Sequence, residues 1–367
     1  MKAKAIGISS IFVCGLIVFG QAPQGQRQGP GVQAVNDARY ASVIAMCKTP
    51  PPQRGAGGGG GAPRGAGGGG GAPRGAAPAG PVEYNVTEIP GVIAAGQQWK
   101  TIWQSPGNNA DGIIGLDDGS VMVAQNDNSA VLKIDKDGKA TIAYSDTNTG
   151  GALSMNTKGE LFIVERGLNA SVWQLAPQRK LLANMINGDF LDCVGGTIND
   201  ISADSKGGTY FTMGDLTSGF VYYASPAGVI TRYGQNLATN GLLLSADEKT
   251  LYVTNNNTLV AFNVQADGSL TNQRDFVTIM GFREDGITID SAGRIYITGG
   301  AGVQVVGADG KALGLIPTPR SVISTAFGGT DKKTLFAVVS YRDANNAQNA
   351  QVISIPMIAQ GFKGRVK

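Results

Sequence analysis

Asp111, Asn199, Asn240 and Asp285 each stand immediately before a short apolar run, in segments that otherwise look alike. Carboxylates and amides of this kind are oxygen donors. Brought to one axis, two carboxylates and two amides would repel and leave acceptors poorly satisfied. A hard divalent ion relieves both problems, because Ca²⁺ and Mg²⁺ take oxygen ligands from these side chains. A carboxylate held beside such an ion can also act as a general base toward water. Imidazole chemistry is excluded: the 367 residues contain no histidine. That removes Ser-His-Asp and Cys-His nucleophile systems and His-ligated zinc.

Such residues can meet only if the elements carrying them converge. The segments are DGIIGLDDGSVMVAQ from 111, GGALSMNTKGELFIVE from 150 and NDISADSKGGTYFTMG from 199. NGLLLSADEKTLYVTN from 240, DGITIDSAGRIYITGG from 285 and STAFGGTDKKTLFAVV from 324 continue the series. Their first residues are 39, 49, 41, 45 and 39 positions apart. Each reads as strand, Asp/Asn/Gly turn, strand, with room before the next for two more strands. A repeat of this length and content predicts a six-bladed β-propeller, all-β in class. The last repeat has only AQVISIPMI left as an outer strand, and QWKTIWQSPGNNADG, 98–112, supplies the missing one. N- and C-terminal strands therefore share the last blade, which removes open sheet edges.

This geometry sorts the carboxylates. The first residue of each repeat lies at one mouth of the central channel. Residues after the second strand return to it: Gln125, Asn126, Glu165, Arg166, Asp215, Asn255 and Gly299. Asp117, Asp204, Asp247 and Asp290 fall at the opposite mouth, in hairpin turns where Asp bonds its own backbone and needs no further role.

Charged residues make up 16% of the chain and the net charge is +3, with several arginines N-terminal, so no nucleic-acid surface is expected. Residues 1–22 read as a signal peptide: Lys2 and Lys4, an apolar stretch from Ala5 to Phe19, then small residues at Gly20 and Ala22. The expected location is periplasmic or secreted, with no stable membrane span after cleavage. Residues 23–81 hold a short amphipathic helix, 36–48, and a flexible arm built on a duplicated RGAGGGGGAP unit, leaving 82–367 for the propeller. In an exported protein Cys47 and Cys193 could pair.

The blade segments NDISADSKGGTYFT, NGLLLSADEKTLYVTN, DGITIDSAGRIYITGG and ISTAFGGTDKKTLFAV resemble those of the gluconolactonase and regucalcin (senescence marker protein) family of six-bladed propellers, in the same order over residues 98–340. The resemblance implies one divalent cation at the channel mouth, Ca²⁺ first, with Mg²⁺, Mn²⁺ or Zn²⁺ as alternatives. It places the metal ligands on Asp111, Asn240 and Asp285, the general base on Asp285, and a further metal- or substrate-assisting amide on Asn199. The family's first-blade acid is usually Glu, one methylene longer than Asp111, so an ion here must sit closer to that blade or be reached through water.

The implied function is a metal-dependent hydrolase that opens a lactone or similar ester, acting on a small lactone or sugar-acid substrate. Asn199, Glu165 and Arg166 are the candidate substrate-binding residues, although the last two could equally be a solvated ion pair on a loop. A propeller that binds a sugar-like ligand or a protein partner around a structural metal is the alternative, since fold alone does not choose. A strictosidine-synthase-like condensing enzyme is a more distant third.

Overall fold

The structure is a computed structural model that describes residues 34–51, 85–106, 109–214, 218–279, 285–300, 302–345 and 347–364. The expected signal peptide and most of the Gly-rich arm lie outside the described residues, as does Asp215. Six four-stranded antiparallel sheets form the ring. The innermost strands are Ala110–Gly115, Gly150–Met155, Thr197–Ala203, Thr239–Leu244, Ile287–Ile289 and Val322–Gly328, in blades 1 to 6. In the sixth blade Lys100–Pro106 pairs with Gln348–Pro356, from Lys100 opposite Ser354 to Pro106 opposite Asn349. The ring thus closes on both ends of the propeller sequence, as the missing outer strand of the last repeat requires.

Burial follows strand position. Innermost strands are buried almost throughout, whereas outer strands such as Ala140–Tyr144 and Lys180–Ala183 stay largely exposed. The blades pack face to face on the apolar residues of their middle strands. Phe162, Phe211 and Tyr222 are fully buried between the second and third, the last two rings stacked 5.1 Å apart. Residues 85–99 add a plug between the last two blades: Val86, Ile89, Val92, Ile93 and Trp99 join Val305, Ile316, Leu335 and Ile355.

One further piece docks on the ring. Residues 34–51, including the short helix Tyr40–Ile44, are tied down by a disulfide between Cys47 and Cys193, with Cα atoms 5.6 Å apart. The backbone N–H groups of Lys48 and Thr49 both donate to the Asp189 carboxylate, at 2.7 and 3.1 Å. Ala34 N–H donates to the Arg166 carbonyl at 3.2 Å, so this piece lies at the mouth where the repeats begin. Among the described residues no helix is long and apolar enough to cross a membrane.

Candidate active site

The mouth is shaped by a repeated irregularity. In five blades the register between the first two strands shifts at the start of the inner strand: between Ala110 and Ile113, Gly150 and Leu153, Ile198 and Ile201, Thr239 and Leu242, and Val322 and Ser324. Asp111, Gly151, Asn199 and Asn240 sit inside these bulges. A bulge bends its strand and re-aims a side chain, which turns these residues toward the axis instead of into a sheet face. Hydroxyls satisfy the carbonyls at this mouth: Thr212 Oγ1, from blade 3, donates to Asn240 O, and within their own blades Thr254 Oγ1 donates to Gly241 O at 3.2 Å and Thr298 Oγ1 to Gly286 O at 2.8 Å.

The glycine following the mouth residue lets adjacent blades close on one another. A Cβ on Gly241 would lie 2.2 Å from the Asp285 carbonyl oxygen, so blade 4 meets blade 5 backbone to backbone beside Asn240. Asp285 itself precedes its strand, with its N–H donating to Thr298 O at 3.2 Å. It is half-buried. The fold therefore seats Asp285 next to the Asn240 position, as the repeat alignment predicts.

Three of the four oxygen-bearing residues are joined into one network, and the group that joins them is Arg166. Its Nη1 donates to Asp111 Oδ2. Its Nη2 donates to Asn199 Oδ1 at 2.7 Å and to the Asn199 carbonyl at 2.8 Å, and its Nε donates to the Ile198 carbonyl at 3.0 Å. Asn199 Nδ2 then donates to Asn240 Oδ1. One guanidinium from blade 2 thus reaches blades 1 and 3, and an amide extends the chain to blade 4. The Arg166 side chain is 1% exposed and that of Asp111 14%, so the ion pair lies within the protein and not on a solvated loop.

Glu165 goes elsewhere. Successive side chains of a strand point to opposite faces, and the Glu165 carboxylate accepts from Arg179 Nη2 at 3.1 Å, outside the Arg166 network. Arg179 is itself held by the Ser145 carbonyl at 2.9 Å and lies over the Trp173 ring at 5.3 Å. Burial pushes the Glu165 carboxyl up to about 7, against the opposing pull of Arg179. Asn126, beside Gln125 at the end of the second strand of blade 1, is buried with neither amide atom bonded among the described residues. Of the groups at this mouth it has the most to gain from a bound polar molecule.

The donor set for an ion can be tested on this geometry. Among the described residues no three Asp, Glu or Cys side chains are arranged to hold a metal. Asp111 Oδ2 and Asn199 Oδ1 both accept from the Arg166 guanidinium, and Asn240 Oδ1 accepts from Asn199. A divalent cation bound there would face a buried like charge with its counter-ion removed. The residues as arranged do not fit a divalent ion through Asp111.

Three of the four turn aspartates at the opposite mouth bond their own turns as expected, and Asp117 instead reaches another blade. Asp290 is fully buried and accepts from the N–H groups of Ala292 and Arg294, from Arg294 Nε at 2.6 Å and from Tyr296 OH at 2.8 Å. Asp204 accepts from Lys206 and Gly208 N–H and from Tyr223 OH at 2.8 Å. Asp247 takes only Ser245 Oγ and Lys249 N–H, on the surface. Asp117 pairs across blades with the buried Lys332, at 2.9 Å.

Residues 145–341 match the family described as the SMP-30/Gluconolactonase/LRE-like region. Among curated relatives, a lactonase drp35 of Staphylococcus saprophyticus subsp. saprophyticus is 29% identical over 266 residues, covering 64% of this chain and 72% of the relative. A gluconolactonase of Zymomonas mobilis subsp. mobilis is 26% identical over 221 residues, covering 52% of this chain and 60% of that protein. Of solved structures, a gluconolactonase from Xanthomonas campestris superposes with a TM-score of 0.61 at 22% identity, over 78% of this chain and 98% of the other. The calcium-binding protein regucalcin from Agrobacterium tumefaciens gives 0.55 at 18%, over 71% and 93%. At these identities the two structural likenesses speak to fold alone.

Proposed function

This chain belongs to the SMP-30/gluconolactonase/LRE-like family, and from that premise we propose that it hydrolyses a lactone at the channel mouth where its repeats begin. The observation that carries the reading is the convergence there of Asp111, Asn199 and Asn240, linked across blades, with Asp285 seated against Gly241. Relatives named lactonase and gluconolactonase support it.

In this reading a water molecule attacks the lactone carbonyl while Asp285 accepts its proton. The ring C–O bond then breaks, and the proton passes to the departing ring oxygen, which leaves as a hydroxyl group on a hydroxy acid. Asn199 and Asn240 orient the substrate, their amides fixed relative to each other by the bond between them. Glu165 is bound to Arg179, so it contributes by shaping the wall and not by contact. The resemblance implies a divalent ion on Asp111, Asn240 and Asp285. Asp111 is instead paired with Arg166.

We also place the protein outside the cytoplasm. Residues 1–22 have the character of an export signal, and a disulfide such as Cys47–Cys193 persists in oxidising compartments.

Purified protein tested in a pH-stat against aldonolactones and aryl esters, with EDTA or with added Ca²⁺, Mg²⁺, Mn²⁺ or Zn²⁺, checks the proposal. One equivalent of acid per ring opened is the expected result. No turnover of any lactone or ester under any of these conditions rejects hydrolysis and favours a ligand-binding propeller.

A further inference from the structure

We infer that Arg166 is the resident cation of the channel mouth, and that the oxygens of Asp111, Asn199 and Asn240 are organised around its guanidinium instead of a divalent ion. The inference deepens the hydrolase reading by naming the positive charge of the same site. Its test is ion binding, so it can fail while lactone hydrolysis stands, and the converse holds too.

Three independent features build the guanidinium into the fold. Two of its bonds go to backbone carbonyls, those of Ile198 and Asn199. These acceptors belong to the bulged strand of blade 3 and cannot follow a side chain elsewhere. Displacing Arg166 would orphan both as well as Asp111, and buried acceptors without partners are costly. The carboxylate is thus one of several anchors and not the sole reason the arginine lies there.

The second feature is the seat. In the bulges of blades 1, 3 and 4 the mouth position carries Asp111, Asn199 or Asn240, but blade 2 carries Gly151. A Cβ on Gly151 would lie 2.2 Å from Arg166 Nε, 2.3 Å from Cζ and 2.6 Å from Nη2. Real Cβ atoms do not approach so closely, and the guanidinium plane has little freedom to yield. Blade 2 therefore gives up its own side chain at the axis, and the arginine at the end of its second strand occupies the space.

Third, a docked segment lies beside the arginine. Ala34 N–H donates to the Arg166 carbonyl, and Ala34, Val35 and Tyr40 share with Arg166 and Ile198 a cavity of about 10 Å³, room for one water at most. The covering piece is anchored by the Cys47–Cys193 disulfide. Arg166 acts as a positioning residue in this arrangement: it pairs with the Asp111 carboxylate and fixes the orientation of the Asn199 amide, and through that amide it holds Asn240.

Titration of the full chain, disulfide intact, with Mn²⁺ followed by electron paramagnetic resonance and with Ca²⁺ by calorimetry tests this. The wild-type protein should show no site tighter than about millimolar, weaker than dedicated calcium sensors. Arg166→Met, which removes the competing charge and frees the Asp111 and Asn199 oxygens, should gain at least about tenfold in ion affinity. One ion per wild-type chain bound at micromolar concentration overturns the inference, and this measurement needs no variant to fold. An Arg166→Met protein that keeps the wild-type circular dichroism yet gains no ion overturns it as well. Should Arg166→Met not fold, Arg166→Gln carries the same two outcomes.

Discussion

The two mouths of the propeller carry the same residue types at the same period, yet they use them differently. At the mouth where the repeats begin, Asp111, Asn199 and Asn240 find partners in other blades through Arg166. At the opposite mouth Asp204, Asp247 and Asp290 each bond the backbone of their own hairpin turn. A carboxylate that closes its own turn is satisfied by local geometry and has little left to offer a ligand. One that is lifted out of register by a bulge depends on whatever converges with it. The contrast is therefore about which partners the backbone allows, not about residue type.

The pair Asp285 and Asp290, five residues apart in one repeat, makes the sharpest test. Asp285→Asn should lower kcat by about 10²- to 10⁴-fold, the usual contribution of a positioned base. Because Asp285 is half-buried at the end of a strand, its melting temperature should stay close to that of the wild type. Asp290→Ala should do the reverse. It removes the partner of Arg294 and of the Tyr296 hydroxyl and uncaps two turn N–H groups inside the protein. The cost should be about 2–4 kcal/mol in urea unfolding, with kcat/KM of the folded fraction unchanged. If both variants lose activity and stability together, the division between the mouths is wrong.

How much of this was legible beforehand depends on the range of the contacts involved. The six repeats, the shared last blade and the placing of Asp285 apart from Asp290 all follow from period, turn residues and strand alternation, which are local. Bulges were hidden because the extra residue that makes one has no compositional mark beyond the neighbouring glycine. Arg166 was named as a mouth residue, but its reach from blade 2 to Asp111 and Asn199 is a long-range contact that no spacing encodes. A faint signal did exist: Gly150-Gly151 stands where other blades present a side chain, so something else had to fill that part of the axis. Glu165 and Arg166 are adjacent in sequence and return to the mouth together, whereas strand alternation alone sends adjacent side chains to opposite faces. The docking of residues 34–51 turned on a disulfide spanning 146 positions, which two cysteines on either side of a Gly-rich arm suggest without specifying.

Glu165 gives a third, smaller effect, and one whose sign differs from the usual acidic residue. Its carboxyl is raised from 4.5 to about 7 by burial. Between these values the folded protein holds a proton that the unfolded chain has released, so stability falls as pH rises from about 4.5 to 7 and levels off above. The span corresponds to roughly 3–3.5 kcal/mol at most, before relaxation around the Arg179 pair. Glu165→Gln should flatten this part of the profile of unfolding free energy against pH. An unchanged slope would show that Glu165 is ionised within the fold throughout, stabilised fully by Arg179.

The smallest effect comes from within the far mouth itself, where Ser245 holds the turn position of Asp290 in blade 4 and Asp247, two residues further on, lies at the surface. Its acceptors take one hydroxyl, Ser245 Oγ at 2.7 Å, and one backbone N–H, Lys249 at 3.1 Å. Water can replace either partner after substitution, so no buried donor is left unmet. Asp247→Ala should therefore cost less than about 1 kcal/mol, the net worth of an ordinary exposed hydrogen bond, and should leave kcat untouched. Measured beside Asp290→Ala in the same urea series, it sets an exposed carboxylate that bonds its own turn against one buried with Arg294 and Tyr296. Equal losses at the two positions would mean that the turn dominates and that the buried partners of Asp290 add little.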